Sequence, residues 1–193
     1  MAHNNIEIEI QVSVENSGSL LDFLQAQAAF VGELSQADEY FSSPTDDFLA
    51  KRPVSRWLRL RRSAKGCFLN YKNWHFNELG ESHHCDEFET KIEDIDSAKK
   101  ILLALNFRPI VMVEKVRKIW HYQDYEIALD SVLDLGDFVE IEYIGRDKNV
   151  IPEEITKAMI LFLKNLGVGK ITRNHVGYPF LALFPEEVEY QIL

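Results

Sequence analysis

The first part of the chain alternates between apolar and polar residues. β-Branched apolar residues occupy every second position from Ile6 to Val14, and polar residues, including Glu7 and Glu9, occupy the positions between them. Successive side chains of a β-strand point to opposite faces. The period of two therefore predicts a strand over residues 6–14, with one apolar face and one charged face.

Three later segments carry apolar residues at helical spacing. The predicted helices are residues 17–34, residues 96–107 with Asp96 as N-cap, and residues 152–166 with Gly167 as the stop signal. Past Ile171 the pattern favours neither a helix nor a strand. Seven further segments are predicted as strands: 37–41, 56–62, 67–75, 85–92, 110–121, 124–131 and 138–145.

Eight strands joined by short turns, with only three helices, favour the α+β class. We expect an eight-stranded antiparallel β-barrel with the helices packed outside, because closing a sheet removes its exposed edges. The length of 193 residues suits one domain, and no Pro/Gly/Ser-rich linker divides it. We therefore predict a single domain over residues 1–193.

Composition and charge favour a folded domain and disfavour membrane-spanning and nucleic-acid-binding proteins. The hydrophobic fraction of 46% and the charged fraction of 27% are typical of a folded domain, and no apolar run is long enough to cross a bilayer. The formal net charge of −10 disfavours nucleic acid and anionic membranes as partners. Two cysteines and no visible secretory signal favour a cytoplasmic location.

Charged residues of one sign recur two positions apart in the predicted strands. Such pairs project from the same face of a strand. One interpretation is a solvated face, which often shows charged alternation. Solvated faces usually mix the two signs, however, whereas here each strand carries one sign. The acidic pairs are Glu7 and Glu9, Glu87 and Glu89, and Glu140 and Glu142; the basic pairs are Arg59 and Arg61, and Lys115 and Arg117; Lys72 stands alone.

If these faces line the inside of a barrel, the lumen contains an acidic and a basic patch. Arginine geometry suits bidentate contacts to phosphate oxygens. Carboxylates, water and substrate phosphate are the ligands that Mg²⁺ prefers. The charge pattern therefore indicates a site for a metal-bound polyphosphate.

Seven blocks of the sequence, in the same order, resemble motifs of the CYTH superfamily of triphosphate tunnel metalloenzymes. The resemblance covers residues 5–145, and Tyr178 is the nearest match to a late tyrosine of the family. The blocks are Glu7-Ile8-Glu9-Ile10-Gln11, Asp38-Glu39-Tyr40-Phe41-Ser42-Ser43-Pro44, Leu58-Arg59-Leu60-Arg61, Leu69-Asn70-Tyr71-Lys72, Glu87-Phe88-Glu89, Glu114-Lys115-Val116-Arg117, and Leu129-Asp130 with Leu135-Gly136-Asp137-Phe138-Val139-Glu140-Ile141-Glu142.

The resemblance implies an eight-stranded antiparallel tunnel and a role for each charged pair. It implies that Mg²⁺ (or Mn²⁺) is held by Glu7, Glu9, Glu140 and Glu142. It implies that the triphosphate is held by Arg59, Arg61, Lys72, Lys115 and Arg117. Gln11, Glu87, Glu89 and Asp130 are the expected catalytic residues.

The sequence departs from the family pattern at two positions. Gln11 stands where the family has lysine, and Cys85 stands where an arginine is expected. Glutamine keeps hydrogen-bonding capacity but has neither the charge nor the basicity of lysine. We expect these two departures to slow turnover or to alter substrate choice.

The resemblance leaves several functions open. The preferred one is a class IV adenylyl cyclase-like reaction, in which ATP gives cyclic AMP and pyrophosphate. The alternatives are a triphosphatase acting on inorganic or thiamine triphosphate, and a non-catalytic module that binds a nucleotide or polyphosphate. Some family relatives act on RNA, but the chain shows no basic stripe outside the proposed lumen. A homodimer formed through exposed apolar outer surface is a further expectation.

Overall fold

The computed structural model describes residues 6–147 and 149–193. Within them it contains one eleven-stranded antiparallel sheet, four α-helices and two short 3₁₀ helices. The strands are β1 (Ile6–Glu7), β2 (Glu9–Val14), β3 (Ala29–Ser42), β4 (Arg56–Ser63), β5 (Gly66–Phe76), β6 (Ser82–Ile92), β7 (Arg108–Tyr122), β8 (Tyr125–Val132), β9 (Gly136–Tyr143), β10 (Ile171–Arg173) and β11 (Gln191–Ile192). The helices are α1 (Ser17–Gln27), α2 (Ile95–Ala104), α3 (Pro152–Asn165) and α4 (Gly177–Leu183).

The α+β class and the antiparallel sheet are confirmed, but the expected count of eight strands is wrong. The described residues form eleven strands because the first predicted strand is divided at Ile8 and the C-terminal part adds β10 and β11. The seven other predicted strands correspond to β3 to β9. The order across the sheet is β1-β6-β5-β4-β3-β7-β8-β9-β2-β10-β11.

The N-terminal segment pairs with two different strands of the sheet. β1 pairs with β6 through Ile6–Asp86 and Glu7–Cys85. β2 pairs with β9, from Glu9 opposite Glu142 to Val12 opposite Val139, although only Ile8 separates it from β1. One continuous stretch of chain thus contacts strands that are far apart in the sheet order.

The first predicted helix is too long. α1 ends at Gln27, and residues 29–34, which were predicted as helix, belong to the 14-residue strand β3. β3 pairs with β7 along nearly its whole length, with a register shift between Phe30 and Gly32. The apolar spacing in this segment is compatible with a helix. The segment is a strand because its backbone hydrogen bonds are made with β7.

The second and third helices follow the prediction more closely. α2 begins one residue early and ends at Ala104, and its N-cap is Asp94, not Asp96. Asp94 Oδ1 accepts hydrogen bonds from the backbone N–H groups of Asp96 and Ser97 at 3.0 and 2.9 Å. α3 starts at Pro152 as predicted, and Gly167 follows its end with a φ of +69°, which glycine adopts most easily.

Two of the helices, α1 and α3, pack on the apolar face of the sheet. Their buried side chains cover β2, β8 and β9, and the cluster comprises Ile10, Val12, Leu20, Leu24, Trp120, Ile127, Val139, Ile141, Met159, Leu163, Val168 and Ile171. α2, in contrast, buries none of its residues. The expectation of a homodimer through exposed apolar surface stays a prediction.

Within the described ranges, no helix is both long and apolar enough to span a bilayer. The cytoplasmic location and the single domain over residues 1–193 stay predictions.

Candidate active site

The charged faces of the strands meet in one cavity of about 340 Å³. Its lining includes both members of every charged pair singled out in the sequence, which confirms that each pair shares a face. Lys72 and Gln11 also line it, whereas Asp130 does not. The lining residues from the predicted set are Glu7, Glu9, Gln11, Arg59, Arg61, Lys72, Glu87, Glu89, Lys115, Arg117, Glu140 and Glu142.

The strand order sorts these charges into two patches. The acidic strands form two hydrogen-bonded pairs, β1 with β6 and β2 with β9, and the two pairs are connected in the chain through Ile8. The basic strands form the other group: β5 pairs with β4, and β4 and β7 flank β3 on either side. The separation of acidic from basic strands is therefore a consequence of topology, and the two patches meet at the cavity.

A buried network around Asp130 fixes two of the cations. Asp130 accepts two hydrogen bonds from Arg117, Nε to Oδ1 at 2.7 Å and Nη2 to Oδ2 at 2.6 Å, and one from Lys115 Nζ at 3.2 Å. The Tyr178 hydroxyl donates to the same carboxylate at 2.7 Å. Since the Asp130 side chain is 0% exposed, it acts behind the cavity wall by positioning Arg117 and Lys115.

Asp38 performs the same task on the other side of the basic patch. Arg61 donates to it through Nε and Nη2, both at 2.7 Å, and Arg59 Nη1 lies 3.3 Å away. Burial opposes ionisation of Asp38, but Arg59 and Arg61 outweigh it and hold its pKa below the ordinary value. The carboxylate is therefore charged and keeps both guanidinium groups beside the cavity.

Lys72 connects the two patches. Its Nζ lies 2.6 Å from Glu7 Oε2 and 3.2 Å from Glu9 Oε2. Glu7 also accepts from the buried Cys85 thiol at 3.3 Å. Burial raises the pKa of that thiol, so Cys85 stays neutral and supplies no positive charge where the family pattern has arginine.

The acidic patch contains carboxylates that burial and mutual repulsion keep partly protonated. Glu9 stands directly opposite Glu142 in the β2–β9 ladder, and like charges in that position are unfavourable. Burial, together with Glu9, raises the pKa of Glu142 to about 8. Burial, with Glu87 and Glu142, raises the pKa of Glu7 to about 7 despite the attraction of Lys72.

Burial and neighbouring charges also shift the pKa values of other ionisable groups in the cavity. Burial and the nearby Arg117 lower the pKa of Lys115 to about 8. Burial opposes ionisation of Glu140, but Arg117, 2.7 Å from it, outweighs burial and lowers the pKa. Glu87 and Glu89 both accept hydrogen bonds from the side-chain amide of Asn70.

The donor set fits a hard divalent cation, although it is not preassembled. Along residues 6–147 and 149–193, no three carboxylate, histidine or cysteine side chains are grouped as a metal site. Glu9 and Glu142 nevertheless form an adjacent pair with raised pKa values, and a divalent ion would remove the repulsion between them.

Sequence reasoning missed three residues that shape the site. Asp38, Tyr40 and Asn70 received no role, although all three lie in family-like blocks. The Tyr40 hydroxyl accepts from Arg59 Nη1 at 3.3 Å. Their common signal is register: Asp38 is opposite Arg61, Tyr40 is opposite Arg59, and Asn70 is opposite Glu89.

The raised pKa of Glu142 predicts a pH dependence of stability. In the unfolded chain Glu142 ionises near 4.5, whereas in the folded protein it holds its proton to about 8. Between these values the folded state binds more protons, so the free energy of unfolding should fall with rising pH, by on the order of 2–4 kcal/mol. Urea unfolding from pH 4.5 to pH 8.5 without metal measures the slope.

Glu142→Gln should reduce this slope, because glutamine does not titrate, whereas Glu7 and Glu9, whose pKa values are also raised, should keep the remainder. Glu114→Gln, at an exposed position of β7, is the matched control and should keep it. Equal slopes in the Glu142→Gln variant and the unmodified protein would contradict the expectation.

The comparisons with known proteins identify the family of the chain. A profile of the CYTH domain matches residues 5–178. A protein of Methanocaldococcus jannaschii named "Putative adenylate cyclase MJ0240" is 29% identical over 166 residues, which cover 86% of this chain and 91% of that protein. The PH1012 protein of Pyrococcus horikoshii OT3 has a similar structure, with a TM-score of 0.66, 26% identity, and coverage of 95% of this chain and 94% of that chain.

A third similar structure is that of a Hippeastrum protein described as a "putative adenylyl cyclase" with a dominant triphosphatase activity. Its TM-score is 0.64 at 20% identity, over 93% of this chain and 95% of that chain, and the likeness therefore shows the fold. Because the CYTH profile spans most of the sequence and its charged positions line one cavity, this chain belongs to the CYTH domain family.

Proposed function

We propose that this protein binds a triphosphate compound in the cavity and catalyses a metal-dependent transfer at one of its phosphorus atoms. The main support for the proposal is an unpaired hydrogen-bond donor of Arg59. Its Nε is buried and makes no hydrogen bond, although it belongs to a guanidinium group that lines the cavity. An unpaired buried donor is costly, and a phosphate oxygen would satisfy it.

The cavity is proposed to be a tunnel through a closed barrel. Support comes from the segment of residues 6–14, which pairs with β6 through β1 and with β9 through β2. Closure at this segment would bring the acidic strands together between the two ends of the basic group. It would also enclose the polyphosphate and strengthen its electrostatic contacts.

Glu7, Glu9, Glu140 and Glu142 are proposed to hold the divalent ion, Mg²⁺ or Mn²⁺. When bound, such an ion neutralises phosphate charge and orients the reacting oxygen. The ion pair between Arg117 and Glu140 suggests how the site accommodates both the triphosphate and the metal. Triphosphate oxygens would replace Glu140 at Arg117, and the Glu140 carboxylate released in this way would face the metal.

The first candidate reaction forms cyclic AMP from ATP. The ribose 3′-oxygen forms a bond to the α-phosphorus, the bond from that phosphorus to the α,β-bridging oxygen breaks, and pyrophosphate leaves with the bonding electrons. The hydroxyl proton passes to a carboxylate of the acidic patch that does not hold the ion, and Glu87 and Glu89, which line the cavity outside the proposed metal set, are the candidates. Arg59, Arg61, Lys115 and Arg117 stabilise the charge on the phosphates. The name of the M. jannaschii relative supports this candidate.

The second candidate is hydrolysis of a triphosphate. A water oxygen forms a bond to the terminal phosphorus, the bond to the bridging oxygen breaks, and the water proton passes to the same acidic patch. The volume of about 340 Å³ favours this candidate, because it lies near the lower end of the roughly 300–1,000 Å³ typical of small-molecule sites. The activity described for the Hippeastrum protein also supports it.

Product analysis separates the candidates. Purified protein is incubated with Mg²⁺ and ATP, inorganic triphosphate or thiamine triphosphate, and cyclic AMP, pyrophosphate and orthophosphate are measured. Arg59→Gln is the active-site variant, and Arg62→Gln, on the exposed side of the same strand, is its matched control. Cyclic AMP that disappears in Arg59→Gln alone supports the cyclase; orthophosphate that disappears supports the triphosphatase.

Two other outcomes would contradict these reactions. Triphosphate binding without any product would indicate a non-catalytic binding module. If Arg59→Gln also left binding unchanged, the proposed site would be wrong.

A further inference from the structure

A small side pocket adjoins the main cavity. Its volume is about 30 Å³, and it shares the lining residues Glu9, Gln11, Trp74 and Gly177 with the larger space. The rest of its wall comes from Ser82 and from residues 173–175, next to the short strand β10. β10 pairs with β2 so that Arg173 stands opposite Val12, next to Gln11 in the chain.

Arg173 is a buried cation that forms no ion pair with the described residues, and the nearest acidic influence on it is the longer-range attraction of Glu81. It is 4% exposed, and within the described part of the chain its only side-chain hydrogen bond is from Nη2 to the Ser82 carbonyl oxygen at 2.9 Å. Across the described parts of the chain, the other two buried basic residues, Lys115 and Arg117, both form ion pairs, whereas Arg173 forms none. Burial lowers the pKa of Arg173 to about 10, so it is still charged at neutral pH.

Two buried hydrogen-bond donors in the pocket lack partners. Arg173 Nε is one and Gln11 Nε2 is the other, and both residues line the pocket. Because both atoms are donors, the missing group must be an acceptor. The volume is sufficient for one oxygen atom or a water molecule. A water would satisfy the donors but would leave the buried positive charge without an ion-pair partner, and that is the costlier deficit.

We propose that Arg173 is a further substrate-binding residue, and that with Gln11 it binds one phosphate oxygen of the triphosphate in this side pocket. The inference rests on the proposed function. It also explains how a chain with glutamine at position 11 and cysteine at position 85 still supplies a cation to this wall of the cavity. Arg173, reaching the pocket from β10, takes the place of the missing charge.

Binding of inorganic tripolyphosphate tests the inference, measured by calorimetry in EDTA so that no metal-dependent turnover occurs. Arg173→Met should weaken binding at least about tenfold, as expected for loss of a charge-assisted hydrogen bond. Gln11→Leu, which leaves the Arg173–Ser82 contact in place, should weaken binding by about threefold or more. Arg62→Met, an exposed arginine in β4, should have no effect.

A rescue variant separates binding from a structural role. In the double variant Arg173→Met/Gln11→Lys, the lysine offers a cation to the same acceptor and should recover most of the lost affinity. If Arg173 had a purely structural role, the lysine would change the free energy of unfolding but not the affinity for tripolyphosphate, so urea unfolding of the same variants separates the two roles.

The outcomes distinguish this inference from the proposed function. If the unmodified protein does not bind tripolyphosphate, or binds it equally well after Arg59→Gln, the proposed function fails. If Arg59→Gln abolishes binding while Arg173→Met and Gln11→Leu bind as tightly as the unmodified protein, the proposed function stands and the side pocket holds only water. Should Arg173→Met fail to fold, Gln11→Leu alone decides.

Discussion

Asp130→Asn is expected to lower the free energy of unfolding by about 3–5 kcal/mol, the usual cost of removing one partner from a buried ion pair. Asp130 is fully buried and accepts from Arg117, Lys115 and Tyr178. Asparagine has nearly the same shape but carries no negative charge, and its amide nitrogen would face donors. Two buried cations would then be left with Glu140 as their nearest counterion.

Urea unfolding at pH 7 measures this effect. Asp96→Asn is the matched control, since Asp96 is 78% exposed and its ion pair with Arg62 is 3.3 Å long at the surface. The control should unfold close to the unmodified protein. A change below about 1 kcal/mol for Asp130→Asn would contradict this expectation and would show that the network contributes little net stability.

Asp130 also shows what the sequence can and cannot predict about the site. The charge patterns at Glu7 and Glu9 or Arg59 and Arg61 were interpretable because the face that a strand residue occupies follows from backbone geometry. How deeply a side chain is buried does not follow from backbone geometry. Asp130 was expected on the acidic wall, but its position opposite Arg117 in the β7–β8 ladder places it behind the cation. Such cross-strand partners depend on register, which a single sequence does not reveal.

Secondary-structure elements were also predictable where local sequence determines them and unpredictable where distant strand partners determine them. Pro152 and Gly167 mark the limits of α3 through their own backbone preferences. The first half of β3 had no comparable local signal, because its neighbours in β7 are about 90 residues away in the chain. β10 has only three residues and exists through its ladders with β2 and β11. The part of the chain that carries Arg173 was therefore the least predictable.

The Glu9→Gln/Glu142→Gln variant is expected to separate metal binding from substrate binding. Mg²⁺-dependent turnover should fall about 10³-fold or more, because loss of a metal's charge stabilisation removes several kcal/mol from the transition state. Binding of tripolyphosphate in EDTA should be retained or become tighter. Both glutamates line the cavity, so their replacement removes negative charge that would repel the phosphates.

Turnover with Mg²⁺ and calorimetry in EDTA are measured on the same preparations. Glu33→Gln/Glu114→Gln, at exposed positions of β3 and β7, is the matched double control and should leave both quantities unchanged. Turnover within tenfold of the unmodified protein would remove Glu9 and Glu142 from the metal site. Loss of tripolyphosphate binding together with turnover would mean that the two carboxylates hold Lys72 and its neighbours in place for the substrate. A large loss of turnover with retained or tighter binding of tripolyphosphate is the response that fits a cavity in which carboxylates bind the metal and cations bind the phosphates.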